Sequence, residues 1–253
     1  MSEKIVKHLR PEQMPTPFCS GCGHGIVAGA ILHAIEELGW SMDEMCFISG
    51  TGHAGRISNP LFNADAVQVN FGRALAFATG VKLANPVLRV VVVTGEGDLI
   101  SGGAAHFVHA AKRNVDILCV CSNNYILGAG DGAASPTTPI GAITSTTPAG
   151  NHERPLDLCK IAHAAGASYI ARYSTYHVRP LVRALKVAFN TKGFSFVDVL
   201  SPCPVEYGQK NGMPTGSEVM NLLKMKCVPG DIILGSEQRG VTDSIFIGES
   251  IRK

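Results

Sequence analysis

The sequence predicts an α/β fold built on a doubly wound parallel sheet with an extended C-terminal tail, and three observations carry that prediction. Short β-branched runs alternate with amphipathic helical segments, most of the connections between them are short, and the strand-like runs are too uniformly apolar for strands with one wet face. "LRVVVVTG" at 88–95 shows the last point best. With 253 residues, 45% of them hydrophobic and 17% charged, the chain can bury a sizeable core.

The elements follow in order. Val27, Ile31, Ile35 and Leu38 recur at helical spacing directly after "CSGCGHG", so residues 19–25 open onto a helix N-terminus. "MCFISG" at 45–50 reads as a short buried strand ending in glycine. A helix over 73–84, "RALAFATGVKLA", leads through Asn85 and Pro86 into the 88–95 strand, whose composition suits a central parallel position. The alternation then repeats, with helices over 103–114, 155–166 and 179–193 and strands over 115–124, 168–174 and 194–202. Residues 125–155 are rich in Gly, Ser, Thr and Pro and too long for an ordinary connection, which marks a functional or interface loop. Beyond Pro202 the rhythm is lost; a short helix near 217–226 and then an extended tail are expected. Residues 1–210 therefore form one domain and residues 211–253 an extension suited to contacting a partner subunit.

Composition excludes several classes of function. A formal charge of +2 with no run of five like charges argues against nucleic acid or an anionic membrane as partner. The start lacks the apolar core of a leader and no stretch is long enough to span a bilayer, so a cytoplasmic protein is expected. Eight cysteines are too sparse for a disulfide scaffold and fit a reducing compartment, where the Cys19/Cys22 pair points to metal or redox work.

In an open parallel sheet, ligands bind beyond the carboxyl ends of the strands, where backbone amides face an anion. Three glycine-bearing strand ends fit: "SGTGHAGR" at 49–56, "TGEGDLISGG" at 94–103 and "SNNYILGAG" at 122–130. Gly95 and Gly97 let the backbone approach a phosphate, Glu96 supplies a carboxylate oxygen, and Asn124 lies at the end of the next strand. Magnesium takes oxygen ligands in near-octahedral geometry and commonly keeps a phosphate among them, so this trio suits a metal-bound diphosphate.

Through "PFCSGCGHGI", "ISGTGHAGRI", "FGRALAFATGVKLANP", "TGEGDLISGGAAHFVHAAKRN", "SNNYIL", "SPTTPIGAITSTTPAGN" and "GFSFVDVLSPCP", the chain resembles the β subunits of the 2-oxoacid:ferredoxin oxidoreductases over residues from about 15 to 210. The resemblance implies a thiamine diphosphate-binding fold that holds the diphosphate half of the cofactor. Gly52, His53, Gly95, Glu96, Gly97, Asp98, Asn124, Ile126 and Gly128 would line that site, with magnesium (Mg2+) held by the Glu96 and Asn124 side chains and the Ile126 carbonyl. Cys19, Cys22 and Cys203 would ligate a [4Fe-4S] cluster. A partner α subunit would bring the pyrimidine half-site, and the chain would be active only with it, alongside any further small subunits. The reaction implied is oxidative decarboxylation of a 2-oxoacid to an acyl-coenzyme A, with electrons passed to ferredoxin. The short separate chain and its "SPTTP" loop look most like the 2-oxoglutarate branch.

Departures from the family pattern gather around the same site. His53 stands where the fourth cluster cysteine is usual, Glu96 replaces an aspartate with Asp98 as the alternative carboxylate, Phe71 replaces a histidine, and "LGAGDGA" at 127–133 replaces "YGMTGGQ". Cys46 is a second candidate for the fourth ligand, and Cys19, Cys22, His53 and Cys203 also form a Cys3His set that would suit zinc. The alternatives to the enzyme are accordingly a non-catalytic thiamine- or metal-binding subunit for electron transfer or assembly, and an unrelated nucleotide-binding domain with structural zinc. Other residues have plainer readings. His106 and His109 are expected at a core or interface, Cys119 and Cys121 in packing, and His177 as a helix cap, while Arg56 and Arg73 are open between an anion and an ordinary ion pair.

Overall fold

The computed structural model describes residues 3–235 and 243–251. Its helices are α1 (Glu3–Val6), α2 (His24–Leu38), α3 (Ala74–Ala84), α4 (Ala104–Lys112), α5 (Leu158–Ala165), α6 (Val178–Asn190) and α7 (Gly216–Lys226). The strands are β1 (Met45–Ser49), β2 (Asp65–Gln68), β3 (Arg89–Gly95), β4 (Ile117–Asn123), β5 (Ile126–Leu127), β6 (Ala133–Ala134), β7 (Tyr169–Ser174), β8 (Ser195–Leu200), β9 (Cys227–Pro229) and β10 (Ile245–Ile251). Eight of the strands form one sheet in the order β2-β1-β3-β4-β8-β7-β10-β9, and β5 and β6 make a small hairpin. From β2 to β7 every pairing is parallel.

Burial explains the composition. Every residue of β1, β4 and β8 is buried, because helices cover both faces of the sheet. One core joins the inner faces of α2 and α6 to alternate strand residues such as Phe47, Val91, Val120 and Val197. The other packs α3, α4 and α5 against Ile48, Val92, Phe196 and the thiols of Cys119 and Cys121, as their spacing on one strand face predicts. All eight cysteines are free thiols. Among the described residues no helix is long and apolar enough to cross a membrane.

The C-terminal segment is extended, as expected, and it also joins the sheet. Strand β10 pairs antiparallel with β7, Gly248 opposite Arg172, and β9 then pairs parallel with β10. Edge strands left open invite pairing, and here the chain covers the β7 edge with its own end. Ile245 and Ile247 are buried in a third cluster with Tyr207 and Leu223. The part of the expected tail at 236–242 and 252–253 lies outside the described residues.

The strand order fixes where a ligand can enter. The chain runs outward from β1 to β2 and then returns to β3 on the other side of β1. Such a reversal opens a crevice at the carboxyl ends of the strands, here between the loops that follow β1 and β3.

Candidate functional site

A cavity of about 340 Å3 occupies that crevice, walled by the loops after β1, β3 and β4. Every residue named above for the cofactor lines it, from Gly52 and His53 through Gly95–Asp98 to Asn124, Ile126 and Gly128. Three segments far apart in sequence meet because neighbouring parallel strands end on one edge.

Glu96 sits at the centre of this wall with 1% of its surface exposed. Its Oε2 accepts a hydrogen bond from the Asn124 backbone N–H at 3.2 Å, whereas Oε1 is buried without a partner. Burial raises its carboxyl from the ordinary 4.5 to about 7, against the opposing pull of backbone N–H donors and of the nearby Ser135 hydroxyl, which is engaged with Thr137 and Thr138 rather than hydrogen-bonded to Glu96. A buried carboxylate oxygen left without a donor is costly, and a cation is the partner that would relieve it. Asn124 is nearly as buried, and its Oδ1 accepts from the Ile126 N–H at 3.1 Å. Tyr125 between them has φ 68°, a left-handed conformation that folds the chain into a tight turn. At position 97 a Cβ would run into Leu127 Cδ2, so that side chain would have to shift; at Gly95 it would meet only ordinary contacts, Ala54 at 3.6 Å being the nearest.

Asp98 does not take the place of Glu96. It lines the cavity, but its Oδ1 accepts from the Gly72 N–H and its Oδ2 from the Thr94 hydroxyl at 2.9 Å, so the carboxylate ties the 70–72 loop to β3. Phe71, on that loop, is 43% exposed at the mouth of the cavity.

The thiols gather next door. A second cavity, of about 210 Å3, is lined by Cys19, Cys22, Cys203, His53 and Arg56. Cys22 is pushed up to about 11, chiefly by burial, with Cys203 and Cys19 close enough to add to the effect. Cys19 is exposed on its loop, and Cys203 Sγ accepts from the Glu206 N–H at 3.4 Å. Cys46 is elsewhere: it is packed with Ile48 and Val92 in the core beneath α3, so it does not supply the fourth ligand. Among the described residues no three His, Cys, Asp or Glu side chains stand close enough to hold a single metal ion. A cluster is a cage of several atoms and spreads its ligands wider. The two cavities share a wall, for His53 and Asn124 line both.

His24 is the residue that sequence reasoning passed over. It is 3% exposed, its Nδ1 lies 2.9 Å from the Ser122 hydroxyl, and Phe18 packs edge-on at 5.5 Å. Burial, with His53 nearby, lowers it to about 4, so it stays neutral at physiological pH. Its only sequence signal was its place inside "CSGCGHG", where a helix start explained it equally well.

The remaining single residues resolve simply. His106 is half-buried and His109 exposed on α4, so neither is core. His177 contacts the Ser174 hydroxyl at 2.8 Å and makes no side-chain cap to α6. Arg73 donates to the Gly102 carbonyl at 2.8 Å, while Arg56 is exposed at the rim of the thiol cavity. A larger cavity of about 370 Å3 lies at the opposite, amino-terminal edge of the strands, between Trp40, Lys82 and Phe189. It contains none of the predicted site residues.

Comparison with known proteins identifies the family and the fold. Residues 52–199 match the family model of the thiamine pyrophosphate enzyme, C-terminal TPP binding domain. The chain is 41% identical over 244 residues to the 2-oxoglutarate synthase subunit KorB of Methanocaldococcus jannaschii, covering 96% of this chain and 90% of that protein. It is 39% identical over 188 residues to a 2-oxoacid:ferredoxin oxidoreductase subunit beta of Saccharolobus solfataricus, covering 74% of this chain and 62% of that one. A solved structure of the 2-oxoglutarate:ferredoxin oxidoreductase from Magnetococcus marinus, with 2-oxoglutarate, coenzyme A and succinyl-CoA bound, superposes with a TM-score of 0.85 at 27% identity, over 100% of this chain and 86% of the other.

Proposed function

The chain belongs to the thiamine diphosphate-binding β subunits of the 2-oxoacid:ferredoxin oxidoreductases, and from that premise we propose that it serves, with a partner α subunit, in the oxidation of 2-oxoglutarate. The overall reaction converts 2-oxoacid and coenzyme A to acyl-coenzyme A, carbon dioxide and a proton, and two electrons leave one at a time to two ferredoxins. The preference for 2-oxoglutarate rests on the KorB relatives and on the "SPTTP" loop.

Bound thiamine diphosphate would supply the carbanion chemistry, which belongs to its thiazolium ring. This chain's part is to hold and orient. Glu96 Oε1, buried without a donor, is the natural ligand for a magnesium ion, joined by the Asn124 amide oxygen and the Ile126 carbonyl. Gly97 keeps the wall thin enough for Leu127 to pack beneath it, and Asp98 holds the 70–72 loop in place. Cys19, Cys22 and Cys203, with His53 as the fourth ligand, would carry a four-iron cluster, for which thiolates are the fitting donors. Neutral His24 packs beside the thiols without adding charge. The extension at 211–253 would face a partner subunit, with Met225 and Leu234 exposed on it. The free thiols suit the cytoplasm.

One observation carries this reading: the cavity that holds Glu96 and the thiol-lined cavity have His53 and Asn124 in common. Electrons released at one would have a short path to the other. The test is anaerobic purification with the α subunit. About four irons per β chain and 2-oxoglutarate- and coenzyme A-dependent reduction of a viologen dye are expected; colourless protein with one zinc per chain would overturn the assignment.

A further inference from the structure

The loop that sets the "SPTTP" motif apart packs directly beneath the proposed metal site. Thr137 Oγ1 donates to Asn123 Oδ1 at 2.9 Å, and Thr138 Oγ1 donates to the Tyr125 carbonyl at 2.6 Å. These two bonds fall on either side of Asn124. The Ser135 N–H donates to Thr138 Oγ1 at 2.8 Å, so the Thr138 hydroxyl is locked in the orientation that serves Tyr125. From behind, Asn151 Nδ2 donates to the Thr138 carbonyl at 2.8 Å and the Glu153 carbonyl at 3.0 Å. Thr137, Thr138 and Asn151 are all buried, with exposures of 4%, 1% and 4%. Asn123 is anchored on its other side too, donating to Asp198 at 3.3 Å, and Asp198 in turn accepts from buried Arg172 at 2.9 Å.

Tyr125 shows what this bracing achieves. A bulky residue in the left-handed region is strained by about 1–2 kcal/mol. Yet its φ of 68° is part of the turn that brings Asn124 and Ile126 round to the same cavity. A turn of that kind persists only when its surroundings hold it, and the hydrogen bond to its carbonyl is the most direct hold available.

We propose that Thr138 is a positioning residue for the metal site: by fixing the Tyr125 carbonyl it keeps the 123–126 turn in the shape that aims the Asn124 amide and the Ile126 carbonyl at one point. This rests on the magnesium assignment made above. It gives the hydroxyls of the 135–138 segment a task in cofactor binding although none of them would touch the cofactor. Because magnesium demands near-ideal geometry and calcium tolerates irregular coordination, loosening the turn should cost the two ions unequally.

The experiment uses the α/β complex stripped of metal and cofactor, with thiamine diphosphate added back and Mg2+ or Ca2+ titrated by calorimetry. Thr138→Val keeps the shape and removes the hydroxyl; it should weaken Mg2+ binding about tenfold, the scale of one or two buried hydrogen bonds, and change Ca2+ binding less than threefold. Thr138→Ser should restore Mg2+ binding to within about twofold of the parent. Unchanged Mg2+ affinity in Thr138→Val, or equal losses for the two ions, would overturn the proposal, and so would failure of the serine variant to rescue. Asn124→Ala in the same titration separates the two levels of argument: retained Mg2+ binding there would remove the metal assignment itself, whereas its loss beside an unaffected Thr138→Val would remove only the brace.

Discussion

Replacing Glu96 with glutamine should stabilise the cofactor-free protein while abolishing its hold on the metal. Glu96 is 1% exposed, and burial raises its carboxyl from 4.5 to about 7. An acid whose folded pKa is raised keeps its proton in the folded state over a range where the unfolded chain has released it. Stability therefore falls as pH climbs from 4.5 to about 7 and levels off above it. One pKa unit corresponds to about 1.4 kcal/mol, so the ionised side chain costs the empty site roughly 3 kcal/mol at pH 8. Glutamine has nearly the same shape and no charge to desolvate. For a protein of this size about 1 kcal/mol moves the melting midpoint by roughly 2–4 °C, which sets the expected gain at about 6–12 °C. The assay is thermal unfolding of metal- and cofactor-free protein at pH 5 and pH 8, followed by circular dichroism and read as the difference between parent and Glu96→Gln. Calorimetry with thiamine diphosphate and Mg2+ gives the functional half, where a loss of at least about 100-fold is expected for a buried charged ligand. A variant that melts at or below the parent at pH 8, with the same dependence on pH, would refute the reasoning.

Other outcomes follow from the same geometry. Asp98→Ala should leave the metal assignment intact but loosen the 70–72 loop, lowering stability by about 1–3 kcal/mol, since the Gly72 N–H and Thr94 hydroxyl lose their acceptor; denaturant unfolding reads this directly. Cys203→Ser should strip iron from the complex, and Cys46→Ser, in a core away from the thiol cavity, should keep it, as measured by iron content per β chain. Gly97→Ala should weaken thiamine diphosphate binding by displacing the Leu127 side chain on the cavity wall, while costing less than about 1 kcal/mol in stability because that side chain can rotate away, with binding measured by equilibrium dialysis.

The parts of the fold legible in the sequence were those whose burial leaves a period. β3 and β4 read as central strands because both of their faces are covered, and α6 read as a helix because one face alone is. β2 left no signal: it is a four-residue edge strand, mostly exposed, and needs no apolar run. The pairing of β10 with β7 was hidden for a different reason, since partner choice across some seventy-six residues depends on which edge remains open, which no local pattern records.

At the site, the residue types were legible and their directions were not. Glu96 and Asp98 are two carboxylates on one loop, and only the fold turns one toward the cavity and the other onto Gly72. Cys46 and Cys203 likewise differ by location rather than by any local feature. The hydroxyls of Ser135, Thr137 and Thr138 were read as loop composition, because hydrogen bonding to a distant turn has no sequence period.

Rapid-freeze electron paramagnetic resonance on the anaerobic α/β complex tests the joint between the two cavities most directly. Mixing with 2-oxoglutarate and coenzyme A should produce a reduced-cluster signal in the parent within a turnover, and none in Asn124→Ala despite an unchanged iron content. A signal of parental size and rate in Asn124→Ala, or iron-loaded parent complex that stays silent with substrate, would contradict the shared site.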